Sequence, residues 1–148
     1  MRFDSLLVCE AAAAIDGRLF LHGAGLTRLN VAFIPWTQPL FAFVVRFAIE
    51  PNDRGHSDRR AGATIIDPDG KVVMDAPDIG VVVPNPFPPD TGEEHISNLV
   101  FTLGSLPIKT AGTYRIRIHL EGECVKEMRF PVVVVEDTTL KIFPSQDD

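Results

Sequence analysis

Four aspartates, Asp67, Asp69, Asp75 and Asp78, stand close together in the chain. Clustered carboxylates are what a hard cation such as calcium requires. Here, however, position 71 is Lys71 where a calcium loop needs another oxygen ligand, and position 78 is an aspartate where it needs a glutamate. Asp67-Pro68-Asp69-Gly70 instead carries the letters of a type I turn, with proline second and glycine fourth. A second candidate is His95 beside Glu93-Glu94, a possible histidine-carboxylate metal set. Yet His22, His56, His95 and His119 are scattered, with no His-x-His or His-Glu-x-x-His spacing.

Nucleophiles and phosphate loops fare no better. Cys9 lies in an alternating apolar run, which predicts a buried thiol with no adjacent base. Gly104-Ser105-Leu106 lacks the second glycine of a nucleophile elbow. His22-Gly23-Ala24-Gly25 could open a dinucleotide loop, but Arg28 follows where a third glycine belongs, and no helix begins there to hold a pyrophosphate. A bend or bulge is expected instead. Pro86-Phe87-Pro88-Pro89 matches a Pro-x-x-Pro docking ligand and reads as a rim loop. The expectation is therefore no catalytic residue, no cofactor and no metal. A metal-dependent enzyme built on Glu93, Glu94, His95 or the aspartate turn is kept only as a third reading.

Bulk properties narrow the class. With 148 residues, 45% of them apolar and 23% charged, the chain is sized and composed for one folded domain. A net charge of −6 and the lack of any lysine or arginine run argue against nucleic acid as partner. Two cysteines, Cys9 and Cys124, do not make a disulfide framework. The apolar run at residues 6–9 is too early and short for a signal peptide, and no membrane span follows. A cytoplasmic protein with reduced thiols is expected.

The elements that must position these residues read as strands. Tyr114, Ile116, Ile118 and Leu120 alternate with Thr113, Arg115, Arg117 and His119, a period of two that places residues 112–121 in a half-buried strand. Phe41, Phe43, Val45, Phe47 and Ile49 make the most hydrophobic strand, expected mid-sheet. Residues 3–13 and 18–24 read as two strands joined by Asp16-Gly17, a strong hairpin dipeptide. Residues 26–33 continue extended, and Trp36 lies between Pro35 and Pro39 in a connection. Further strands are expected at 62–67, 71–75, 79–83, 95–103 and 124–135. In the last, the parity of Met128, Phe130, Val132 and Val134 would turn Lys126 inward, so a bulge is predicted near Lys126-Glu127, and Pro131 suggests a sheet edge or a non-bonded position. The fold class is all-β: an immunoglobulin-like antiparallel β-sandwich of eight or nine strands over residues 1–136, with a tail at 137–148. A closed β-barrel is the alternative.

Thr110-Ala111-Gly112-Thr113-Tyr114 resembles the tyrosine corner of immunoglobulin-like domains, which implies a phenol bonded back to backbone a few residues upstream. Ile116 stands where true immunoglobulins carry a cysteine, and Trp36 is not in a core strand. The resemblance thus implies a sandwich of that kind, not an antibody domain. The order of features also resembles a group of small bacterial proteins with no assigned activity: the Asp-Gly turn, the segment Leu21-His22-Gly23-Ala24-Gly25-Leu26-Thr27-Arg28, the Pro-Asp-Gly turn and the late Gly-x-Tyr strand. No catalytic residue comes with it.

Leu40, Ala42 and Val44 lie opposite the aromatic face of their strand, and Val133 and Val135 lie opposite Val132 and Val134. A sheet apolar on both faces needs a second cover. These five residues are the expected interface of a non-catalytic module that binds proteins, including a second copy of itself. Small-ligand or carbohydrate binding is the alternative, with Trp36 and Phe87 as a stacking platform on one rim.

Overall fold

The computed structural model describes residues 1–53, 59–81 and 95–135. Twelve strands run through them. They are β1 (Arg2–Cys9), β2 (Ala11–Ile15), β3 (Arg18–His22), β4 (Leu29–Val31), β5 (Trp36–Gln38) and β6 (Phe41–Ile49), then β7 (Arg60–Ile66), β8 (Val72–Gly80), β9 (His95–Leu103), β10 (Leu106–Ile108), β11 (Gly112–Leu120) and β12 (Glu123–Val134). One 3-10 turn, Pro51–Asp53, follows β6, and no α-helix occurs among the described residues.

The strands form a sandwich-like all-β fold. One layer is the antiparallel sheet β1-β6-β9 and the other is β4-β12-β11-β7-β8, in which only the β4–β12 pair is parallel. Phe41, Phe43, Val45 and Phe47 of β6 meet Ile65 of β7, Tyr114, Ile116 and Ile118 of β11, and Phe130 and Val132 of β12 in one continuous core. Phe41 and Phe130 touch edge to face at 5.6 Å across the layers, while Phe43 stacks on Phe101 at 4.6 Å. Each such side chain is worth about 1.5–3 kcal/mol when fully removed from water. The period of two at β6 and β11 therefore states the core almost completely, and β6 is mid-sheet as expected.

Turn chemistry sets the registers. Asp16 and Gly17 both have positive φ, 49° and 73°, the requirement of a two-residue type I′ hairpin, which joins β2 to β3. Glu121 and Gly122, at 51° and 81°, join β11 to β12 in the same way. A bulge follows at Val125: Ile118 faces Lys126 but His119 faces Cys124. It lies beside the residues where parity demanded one, and it keeps Phe130 and Val132 in the core.

Several expectations need correction. The opening strand does not run through to 13. It breaks at Glu10, whose amide donates to the His22 carbonyl at 3.0 Å, so β1 pairs with β6 while β2 and β3 form a hairpin of their own. Trp36 is not in a connection; it begins β5, which pairs with β10. Residues 72–80 are one strand with two bulges, since among the described residues β8 is the sheet edge and Pro77 there has no outer ladder to interrupt. Pro131 meets one of its two expected settings: β12 has β11 on one side, and on the other the β4 ladder starts only at Val132, just past the proline. Three-residue strands such as β4, β5 and β10 raise the total to twelve; they are too short to show a period.

Candidate binding surfaces

The aspartate turn is structural. Asp67 Oδ1 accepts the backbone N–H of Asp69 at 2.9 Å and of Lys71 at 2.8 Å, and the Gly70 amide donates to the Asp67 carbonyl at 3.1 Å. Thr110 Oγ1 donates to Asp69 Oδ2 at 3.3 Å, tying the turn to the start of β11. There the Tyr114 hydroxyl donates to the Thr110 carbonyl at 3.0 Å, the back-bonded phenol that the corner motif implied. A shallow cleft of about 320 Å³ lies beside it, with Asp69, Lys71 and Lys109 on its walls. Asp75 accepts from the Thr64 hydroxyl at 3.2 Å, on the wall of a second cleft of about 270 Å³ shared with Asp78 and His119. The four aspartates thus divide between two places, and no group of three or more His, Cys, Asp or Glu side chains suited to a metal occurs among the described residues.

Cys9 is fully buried, its Sγ donating to the Ala42 carbonyl at 3.6 Å, and burial pushes its thiol above the ordinary value. That is the inert thiol expected from its strand. Gly23 and Gly25 have positive φ in a bend held by the Val8 carbonyl, which accepts from the Gly25 amide at 3.0 Å. No helix follows, so nothing there is arranged for a pyrophosphate.

Among the described residues one charged side chain, that of Asp53, is wholly buried. Asp53 accepts the Arg59 guanidinium at 2.9 Å and the Glu50 amide at 2.8 Å, and it pairs with the Met1 ammonium. Burial alone would raise its carboxyl. The ammonium, the amide and the guanidinium outweigh that and hold it below its usual value. Sequence reading missed this group, because Asp53 sits in a charged loop where burial leaves no periodic trace.

The expected interface splits. Ala42 and Val44 are 0% exposed, whereas Leu40 is 55%, Val133 38% and Val135 39% exposed. The second face of β6 is covered by the chain itself, with β2 packed against both β6 and β9. Ala42 and Val44 are therefore core, and the premise that a subunit must cover them is corrected. Of the rim platform, Trp36 is half-buried, its Nε1–H donating to Gln38 Oε1 at 3.1 Å, with exposed Phe33 edge-on at 5.3 Å. Phe87, Glu93, Glu94 and the Pro86–Pro89 motif lie outside the described residues.

Two surfaces come into view that the sequence did not single out. The first is the β2–β3 hairpin, where Ile15 is 55% and Phe20 54% exposed and Leu21 is exposed beside them. No strand pairs with the outer edge of β3 among the described residues. The edge of β8, by contrast, is blunted by Pro77 and by a bulge with Asp78 at φ 65°. The second is the outer face of β11 and β12, where Arg115 lies opposite Arg129 and Arg117 opposite Glu127. Arg117 Nε donates to Glu127 Oε2 at 2.7 Å. That bond, with Arg115 and Arg129 nearby, holds the Glu127 carboxyl below its usual range.

Comparison with curated proteins and comparison with solved structures each gave no match. The expected likeness to proteins without an assigned activity is met at the level of a family. The model of a Family of unknown function (DUF6941) matches residues 4–133, and by that match over most of its length the chain belongs to this family.

Proposed function

We propose that the protein is a non-catalytic β-sandwich module that binds other proteins, including a second copy of itself. The observation that carries this reading is the β2–β3 hairpin, whose exposed Ile15, Phe20 and Leu21 flank an edge with no strand beside it among the described residues. An unblunted apolar edge is a template for strand addition, and two such edges can pair antiparallel about a two-fold axis. In support, the candidate nucleophile Cys9 is buried, and Asp67 is engaged with the backbone amides of Asp69 and Lys71 in its own turn. We place the protein in the bacterial cytoplasm. Cys9 and Cys124 are both unpaired, and no helix among the described residues is long and apolar enough to cross a membrane.

Size-exclusion chromatography with light scattering over a concentration series tests the reading. A dimer is expected for the natural chain and a monomer for Phe20→Glu. A strict monomer at high concentration removes self-association. A second reading, small-ligand binding, rests on the exposed Phe33 ring edge-on to Trp36. A sugar panel that quenches the fluorescence of Trp36 supports it, and silence from every ligand counts against it.

A further inference from the structure

The outer face of the five-stranded sheet carries charge that folding alone does not call for. Arg115 and Arg129 are direct partners across the β11–β12 ladder, and Arg117 follows on the same face. Opposed residues in such a ladder have Cβ atoms about 4.5–5.5 Å apart, and like charges there destabilise the pair. Among the described residues one carboxylate, Glu127, serves the three guanidiniums, and its hydrogen bond is already taken by Arg117. Neither Arg115 nor Arg129 has an ion-pair partner among the described residues. The chain is not short of carboxylates, having 20 acidic residues against 14 basic ones.

The backbone beside this pair is also open. β4 pairs with β12 only from Val132 to Val134, so residues 123–130 of β12 have no strand on that side among the described residues. An added strand there would present every second side chain on the face that carries Arg129. Guanidinium forks take carboxylates in a bidentate grip. A nucleic acid fits less well, because it has no peptide groups to pair with the open edge.

We propose that this face binds an extended acidic peptide segment of another protein, its carboxylates held by Arg115 and Arg129 and its backbone laid along the open edge of β12. This goes beyond the self-association reading and uses a different surface, so Phe20→Glu leaves it untouched.

The test is fluorescence anisotropy with a labelled alternating Glu-Thr octapeptide, at low salt, against the full chain. Its Gln-Thr counterpart and an oligothymidylate of matched charge are the controls. The Glu-Thr peptide is expected to bind and to be released by added salt. Loss of two charge-assisted contacts in Arg115→Gln/Arg129→Gln should weaken it by roughly tenfold or more. Glu127→Gln, which frees Arg117, should tighten it, and that gain cannot arise from misfolding. No binding of the Glu-Thr peptide overturns the proposal, as does equal binding by the double variant. Binding of the oligothymidylate as tight as that of the peptide, or no gain in Glu127→Gln, overturns it too.

Discussion

Asp53 and the Arg115–Arg129 pair show two opposite treatments of charge in one small fold. At Asp53 a carboxylate with no exposure is met by an ammonium, a guanidinium and a backbone amide. On the outer sheet face two guanidiniums stand opposed and, among the described residues, share a single carboxylate with a third. A buried charge left unmatched costs several kcal/mol, while an exposed one is solvated and costs little. Complete matching inside is thus a condition of folding. Incomplete matching outside leaves binding capacity for something else.

Four substitutions or conditions can break or sharpen this contrast, in falling order of effect. Asp53→Ala leaves the Met1 ammonium with Glu50 alone and Arg59 with Glu121 at 4.0 Å, and unfolding in urea should show a loss of about 3 kcal/mol, the low end for a broken buried pair. Acid should do part of the same. The Asp53 carboxyl is held below its ordinary value, so its contribution is present above the unfolded-state value and is lost as pH falls through the folded one. The stability difference between the natural chain and Asp53→Asn should accordingly shrink below about pH 4. Arg59→Ala removes one charged hydrogen-bonding partner but leaves the ammonium, and about 1.5–3 kcal/mol is expected by the same urea assay. Arg129→Gln should leave the thermal midpoint unchanged or slightly raised, because it relieves a like-charge contact. A clear fall in that midpoint would mean that the arginine pair is structural after all.

The two regions also differ in how far the sequence discloses them. The core strands β6 and β11 could be read directly, since burial on one face imposes a period of two. The Asp16-Gly17 and Asp67–Gly70 turns could be read because positive φ and side-chain-to-amide bonds demand particular residue types. The opposition of Arg115 and Arg129 needed one more inference. A two-residue turn at Glu121-Gly122 alone would set Arg115 opposite Met128, and only the bulge at Val125 moves Arg129 into place. Parity on the buried face calls for that bulge, and the arginine opposition is its consequence on the outer face. Asp53 could not be read at all, because its partners come from residues 1, 50 and 59, which only the tertiary fold assembles. The same holds for Ala42 and Val44. Their strand shows two apolar faces, but only the break at Glu10 brings β2 over to pack against β6 and β9.

The two thiols occupy opposite extremes, Cys9 buried at the end of β1 beside β6 and Cys124 open to solvent just past the β11–β12 turn. A disulfide-exchange reagent should therefore modify one sulfur at once and the other only when β1 peels from its neighbour. The natural chain thereby carries an internal clock for the opening of its own interior, with the fast thiol as the reference for reagent strength.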